Sequence, residues 1–239
     1  MKLQKPLRPF FKYYGSKWSL AKHYKKPKSE TIIEPFAGSA CYSLHHWNRY
    51  EVWLNDLDDN IASLWSYLIK VKESEIKSLP LLKQGQSVDD LDVCKEAKIL
   101  MGFWLGFACS TPRKTESPTS AREQAKNPTQ CLSWADPAKW RIIDQLPKIR
   151  HWKVTNLSYS ALPDIEATWF IDPPYVDKGY KYRESEIDYP HLAEWCGKRK
   201  GQYIVCENAG ATWMQFNPFR QMRNQDQQVR KEVAIQKGW

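Results

Sequence analysis

The sequence predicts an α/β fold built on a doubly wound, mostly parallel sheet with an antiparallel edge strand and a mainly helical insert. Residues 31–71 follow the order strand, turn, helix, strand and helix, which is how doubly wound sheets begin. Short apolar runs bounded by turn residues resume at 151–158, 167–172 and 203–208. Residues 231–239 alternate between apolar and polar positions, which predicts the edge strand.

The first two strands are predicted at 31–35 (TIIEP) and at 51–56 (EVWLND). Between them, residues 41–50 (CYSLHHWNRY) are predicted to form a helix. Residues 60–71 carry apolar side chains at helical spacing, so a second helix follows the second strand. Strands that alternate with helices in this way usually lie parallel in one sheet.

Residues 72–150 interrupt the alternation and predict a mainly helical insert. Apolar residues three and four positions apart predict a helix within 94–107, and residues 138–149 are predicted to form another. Between these helices, residues 110–130 are rich in Pro, Ser and Thr, which predicts an exposed loop.

The charge of the chain is compatible with a polyanionic partner. Its 239 residues carry a formal net charge of +9, and the sequence pI is about 9.1. Nine lysines and arginines precede Glu30, with no acid among them. Such a basic arm either stays solvated or neutralises phosphates, and the sequence leaves both alternatives open. Twelve Trp and twelve Tyr exceed what packing needs, so some are expected to contact planar ligands.

The sequence argues against a metal-binding protein and against a membrane protein. The six cysteines form no CxxC pair and the five histidines show no ligand spacing such as HExxH, so no metal site is predicted. We expect the cysteines to be reduced thiols. The longest apolar run, 99–109, is too short to span a bilayer, and no targeting segment is recognised. A cytoplasmic location is therefore expected.

A turn with one glycine, EPFAGSA at 34–40, follows the first strand. Gly38 permits a tight turn before a helix N-terminus, and ligands of such sheets bind outside the carboxyl ends of strands. The full GxGxxG pattern is absent, so this turn alone does not predict a nucleotide site. Asp56 comes eighteen residues after Gly38, at the end of the second strand, where a carboxylate can bind both ribose hydroxyls. Capping the next helix is its alternative role, which residues 58–60 can also supply.

The tetrapeptide Asp172-Pro173-Pro174-Tyr175 ends the predicted strand at 167–172. Prolines lack a backbone donor and have fixed φ, so the strand stops and a rigid turn holds a carboxylate and an aromatic ring. Asp172 and the carbonyl of Pro173 can accept hydrogen bonds from an exocyclic amine, and Tyr175 can stack on a base. A rigid turn with a solvated aspartate is the alternative; the position after an apolar strand in a basic chain favours a pocket for a flipped-out nucleobase.

Five motifs in the same order resemble those of DNA N6-adenine methyltransferases of the Dam type, which are class I S-adenosylmethionine-dependent enzymes. They are FFKYYGSK at 10–17, EPFAGSA at 34–40, LNDLD at 54–58, VTNLS at 154–158 and DPPY at 172–175. Family members often have tryptophan where this chain has Tyr13 and a second glycine where it has Ser16. The resemblance implies a Rossmann-like methyltransferase sheet.

The resemblance also implies a role for residues of each motif. The implied catalytic residues are Asp172, Pro173, Pro174 and Tyr175. The residues implied to bind S-adenosyl-L-methionine are Tyr13, Gly15, Lys17, Glu34, Pro35, Phe36, Gly38, Ser39, Asp56, Asn156, Leu157 and Asp172. Residues 1–71 and 151–239 would form the catalytic, cofactor-binding core, and residues 72–150 would be an insert that recognises the target.

The implied reaction is methyl transfer to the N6 amine of an adenine flipped out of double-stranded DNA, without metal. The residues predicted to contact DNA are Lys12, Arg113, Lys114, Arg122, Lys126, Tyr180, Lys181 and Tyr182. A mobile loop of mixed charge is an equal alternative for those in 110–130. The family suggests a bacterial or phage origin and a cognate restriction enzyme as a further partner.

Three other functions stay open at this point. An adenine methyltransferase acting on RNA would carry the same motifs and the same charge. A protein glutamine methyltransferase also binds an amide in such a pocket, but those enzymes resemble NPPY, so Asp172 argues against it. The third is a subunit that has a methyltransferase fold and binds DNA without catalysing a reaction. The intact DPPY motif, Lys17 and Asp56 argue against this third function.

Overall fold

One mixed sheet with helices on both faces forms the centre of the molecule. The computed structural model describes residues 5–83, 85–223 and 229–237. The seven strands within this part of the chain are β1 (Thr31–Glu34), β2 (Glu51–Asn55), β3 (Lys153–Thr155), β4 (Ala167–Ile171), β5 (Gly201–Asn208), β6 (Asn217–Arg223) and β7 (Val229–Lys237). Their order is β3-β2-β1-β4-β5-β7-β6, and β7 is antiparallel to both of its neighbours. The predicted doubly wound, mostly parallel fold is confirmed.

The central strands are buried because other strands and helices surround them. β1 lies between β2 and β4, and Ile33 is paired with Trp53 on one side and with Trp169 on the other. Every residue of β4 is buried. Since β1, β2 and β4 are parallel, the turn after Glu34, Asp56 and Asp172 all emerge at the same edge of the sheet.

Eight α-helices occur in the described part of the chain. They are α1 (Trp18–Ala21), α2 (Cys41–His46), α3 (Asp59–Leu68), α4 (Glu73–Ser78), α5 (Lys95–Trp104), α6 (Pro118–Lys126), α7 (Asp136–Gln145) and α8 (Tyr189–Gly197). Short 3-10 turns occur at Val88–Asp90, Leu146–Ile149, Tyr159–Ala161 and Gly179–Lys181. On one face of the sheet, Trp195 of α8 contacts Trp169 of β4, with ring centroids 5.5 Å apart.

The other face of the sheet and the insert share one apolar core. Val52 and Leu54 of β2 belong to the same buried cluster as Trp104 of α5 and Ile142 of α7. The N-terminal arm enters this cluster too, because Phe11 packs against Phe103 with ring centroids 5.2 Å apart. The insert is therefore continuous with the sheet in its packing, although it interrupts the sheet in sequence. None of the helices described is both long and apolar enough to cross a membrane.

Two predictions about elements need correction. The tract 110–130 is largely exposed, as expected, but it contains α6, which Ser117 begins by accepting a hydrogen bond from Ser120 N at 3.1 Å. The alternating residues near the end of the chain form β7, which lies inside the sheet, and β6 is the edge strand. The pairing of β6 with β7 prevails over the weak strand propensity of NPFRQMR. Lys2 of the basic arm, and Gly238 and Trp239 of the predicted last strand, lie outside the described residues.

Candidate active site

The carboxyl edge of the sheet holds a cavity of about 550 Å³. Its wall consists of residues 13–17, the turn 34–41, the acidic turn 56–58 and the loop 182–187, together with Leu157, Ser158, Tyr159, Phe170, Asp172 and Pro174. These segments are far apart in sequence, and the parallel strands bring them together. Of the residues predicted to bind a cofactor, all but Asn156 line this cavity.

The turn after β1 passes close to an aromatic ring. Gly38 has a φ of +45°, and a Cβ atom at this position would lie 3.0 Å from Cε1 of Tyr13. The backbone N–H of Gly38 donates to Oδ2 of Asp56 at 2.9 Å, and its carbonyl accepts from Nε1 of Trp65 at 2.8 Å. A residue with a side chain would be strained here, so the glycine is needed for this close approach.

Asp56 connects the turn after β1 to the turn after β2 through hydrogen bonds. Its Oδ2 accepts from Gly38 N, and its Oδ1 accepts from Asp58 N at 3.0 Å. Burial raises the pKa of Asp56 to about 7, and the two backbone hydrogen bonds oppose part of this rise. Asp58 caps α3 by accepting from Asn60 N at 2.9 Å, so Asp56 is not needed as the cap of this helix. Each carboxylate oxygen of Asp56 keeps a second lone pair for a ligand.

Asn156 supports the cavity from outside its wall. Its Nδ2 donates to the carbonyls of Asp56 and Leu57 at 2.7 and 2.9 Å. Leu157, in contrast, lines the cavity and is 40% exposed. Sequence reasoning missed Asn55, a buried amide whose Nδ2 donates to the carbonyls of Pro35 and Leu157 at 3.0 and 2.9 Å. The sequence did contain a signal for Asn55, because it is a polar residue at an inward position of the strand, next to Asp56.

Glu34 places a buried carboxyl group in the cavity wall. Its side chain is buried, and Oε1 accepts from Ser43 N at 2.7 Å. Burial raises the pKa of Glu34 to about 8, and the hydrogen bonds from Ser43 oppose part of this rise. The group is therefore mainly protonated at neutral pH.

Lys17 and Asp172 form an ion pair at the catalytic end of the cavity. Nζ of Lys17 lies 3.0 Å from Oδ1 of Asp172, and the two side chains are 7% and 19% exposed. The same ammonium group donates to the carbonyl of Gly15 at 3.1 Å and lies 4.6 Å from the centre of the Tyr175 ring. Lys17 therefore joins the N-terminal motif to the DPPY motif, which the sequence did not predict.

The DPPY residues divide between the cavity wall and the core. Asp172 and Pro174 line the cavity, and the carbonyl of Pro174 accepts from the Tyr189 hydroxyl at 2.8 Å. Pro173 is buried and is not part of the wall. Tyr175 is 9% exposed, packs in the core next to Lys17 and is not part of the wall, so its stacking on a base stays a prediction. Tyr13 and Tyr182 are aromatic residues that do line it.

The residues predicted to contact DNA fall into two groups. Lys12 is half-buried, and its Nζ donates to the carbonyls of Trp104, Gly106 and Leu132. Burial lowers the pKa of Lys12 to about 8. In this arrangement its donors hold the insert against the N-terminal arm, and its role at DNA phosphates stays a prediction.

The other predicted DNA contacts lie on the surface or at the cavity. Arg113, Lys114, Arg122, Lys126, Tyr180 and Lys181 are exposed. Lys114 pairs with Asp89, and Lys126 pairs with Glu123 at 3.2 Å. Tyr180 is 77% exposed, whereas Tyr182 is half-buried in the cavity wall. Among the described residues, no group of three His, Cys, Asp or Glu residues could hold a metal ion.

Residues 13–92 match the family model described as D12 class N6 adenine-specific DNA methyltransferase. The match covers 80 of the 239 residues, and this segment is similar to that family. The matched segment contains Tyr13, Lys17, the turn 34–40 and Asp56. Asp172 lies outside the match, and the fold independently brings it to the same cavity. No curated protein matches the chain.

Proposed function

We propose that this protein is an adenine-specific DNA methyltransferase, which transfers a methyl group from S-adenosylmethionine to the N6 atom of an adenine flipped out of duplex DNA. The observation that carries the proposal is that Asp172 and the Asp56 turn line one cavity. A donor held at Asp56 and an amine held at Asp172 would then meet without a covalent enzyme intermediate. Proximity of the two reactants would supply much of the acceleration.

The cavity has the chemical features that a nucleoside-containing cofactor requires. Asp56 offers acceptors for ribose hydroxyls, and Gly38 lets the backbone approach a ligand closely. Leu57 and Leu157 are exposed at the same end and would contact an adenine ring. When bound, S-adenosylmethionine supplies an electrophilic methyl group on a positively charged sulfur.

At the other end of the cavity, Asp172 would bind the amine of the target base. Its carboxylate and the carbonyl of Pro173 would accept the two N–H hydrogen bonds, which directs the lone pair of N6 towards the methyl group. As the nitrogen gains positive charge, the carboxylate would stabilise that charge. The ion pair with Lys17 fixes the position of Asp172 before the base arrives.

We also propose that the exposed face of the insert contacts DNA through Arg113, Lys114, Arg122 and Lys126. Each lies on the surface, where it can neutralise a phosphate. The insert would thereby contribute to target recognition while the sheet carries out the chemistry.

The direct test is a methylation assay with labelled S-adenosylmethionine and separate pools of adenine-unmethylated genomic DNA, total RNA and protein. We expect label in DNA alone, recovered after digestion as N6-methyldeoxyadenosine. Label confined to RNA or protein, or recovered on cytosine, would contradict the proposal. Sequencing the methylated DNA would then give the target site.

A further inference from the structure

The loop after Tyr175, residues 176–187, extends from the catalytic motif across the cavity; we call it the closing loop. Its residues 182–187 form part of the cavity wall. A Cβ atom on Gly15 would clash with the hydroxyl oxygen of Tyr182, so the loop fits closely against the N-terminal motif. The carbonyl of Lys181 accepts a hydrogen bond from Ser110 of the insert.

Arg183 attaches this loop to the acidic turn after β2. Its Nη1 lies 2.9 Å from Oδ1 of Asp58 and 2.7 Å from Oδ1 of Asp59. The side chain of Asp58 is only 6% exposed and also caps α3, so one end of this contact is rigid. The hydrogen bond to Asp59 raises the pKa of Arg183, while Arg183 lowers that of Asp59.

The contact extends to the residue assigned to the cofactor. The backbone N–H of Asp58 donates to Asp56, and Asp56 also binds Gly38 N. Arg183, Asp58 and Asp56 thus form a continuous chain of contacts from the closing loop to the proposed ribose site. A ligand that stabilises the Asp56 turn therefore also stabilises the surface to which Arg183 binds.

We propose that Arg183 is a positioning residue that latches the closing loop over the cavity and so couples cofactor binding to the order of the loop. This inference rests on the proposed function, because it assigns the Asp56 turn to the cofactor. Arg183 itself touches no reacting atom. It would slow cofactor escape and hold Tyr182 against the N-terminal motif.

The latch can be tested first without cofactor. Endoproteinase Lys-C cleaves after Lys178 and Lys181, and Arg183→Ala changes neither site. We expect cleavage in the closing loop to accelerate about tenfold in the variant, while cleavage after Lys126 in α6 serves as an internal reference. Equal rates of loop cleavage in wild type and variant would overturn the proposal that Arg183 holds the closing loop in place.

The coupling is tested by cofactor dissociation, measured by stopped flow with S-adenosylmethionine. We expect Arg183→Ala to raise the dissociation rate about tenfold, and added salt to raise it in wild type but hardly in the variant. Asp59→Asn should raise the rate in the wild-type background and have little further effect in Arg183→Ala. Lys95→Ala is the matched control, because Lys95 also pairs with Asp59, at 3.4 Å, but does not belong to the loop.

The outcomes separate the inference from the proposed function. Wild-type protein that binds no S-adenosylmethionine contradicts the proposed function, and the coupling with it. Wild-type binding together with an unchanged dissociation rate in Arg183→Ala overturns the coupling alone. Faster dissociation that Lys95→Ala reproduces equally would assign the effect to Asp59 and would also overturn it.

Discussion

Glu34 is a carboxyl group that is neutral in the folded protein and charged in the unfolded chain over several pH units. Its pKa is about 8 when folded and near 4.5 when unfolded. Because the folded pKa is the higher one, the stability associated with this proton is complete below pH 4.5 and is lost as the pH rises through 8.

We predict that Glu34→Gln removes this loss of stability. Relative to wild type, the free energy of unfolding of the variant should improve by about 4 kcal/mol between about pH 5 and about pH 9. Urea unfolding across this range measures the difference. A difference that does not change with pH would mean that Glu34 is already ionised in the folded state.

Lys12 is a basic residue whose side chain stabilises the interior of the protein. Lys12→Met keeps the apolar stem but leaves the three carbonyls without their ammonium donor. We predict a loss of about 1–2 kcal/mol in the free energy of unfolding, with little change in DNA affinity at low salt. Lys126→Ala, an exposed control, should leave stability unchanged. A Lys12 variant of normal stability that binds DNA weakly would support the prediction of a phosphate contact.

At the residue scale, the sequence predicted side chains that follow strands better than side chains that depend on distant partners. Asp56 and Asp172 could be placed because each directly follows an apolar strand. The locations of Lys12 and Tyr175 depend on the insert and on Lys17, and no local pattern reports such contacts. The contacts of Arg183 were not predicted, because its partners lie over a hundred residues earlier.

At the element scale, the parallel strands were predictable because buried strands are continuous apolar runs. α6 was missed because the composition of 110–130 outweighed its start signal, Ser117 followed by Pro118. β6 was missed because its sequence, with a proline and four polar residues, becomes a strand only by pairing with β7.

We predict that Ser117→Ala loosens α6 by removing its N-terminal cap. The cost of about 1 kcal/mol should appear as about fivefold faster hydrogen exchange in the amides of this helix. Thr119→Ala is the control, because this exposed residue lies in the same turn and the cap bond is made by Ser117. Equal exchange in both variants would show that packing, and not the cap, determines where α6 begins.

At the scale of the whole molecule, the sheet and the insert share a core that neither could bury alone. Phe11, Trp65 and Trp104 of this core come from the N-terminal arm, from helix α3 and from the insert. We therefore predict one thermal unfolding transition, with calorimetric and van't Hoff enthalpies that agree. Two separate transitions would show that residues 72–150 fold as a domain of their own.

In the proposed reaction, donor and acceptor meet in one cavity with Asp172 at the point of reaction. The most direct measurement compares single-turnover methyl transfer with S-adenosylmethionine affinity in Asp172→Asn and in Asp56→Ala. We predict that Asp172→Asn lowers transfer by about 10³-fold or more with nearly normal affinity, whereas Asp56→Ala chiefly weakens affinity. Near-normal transfer by Asp172→Asn would contradict the account.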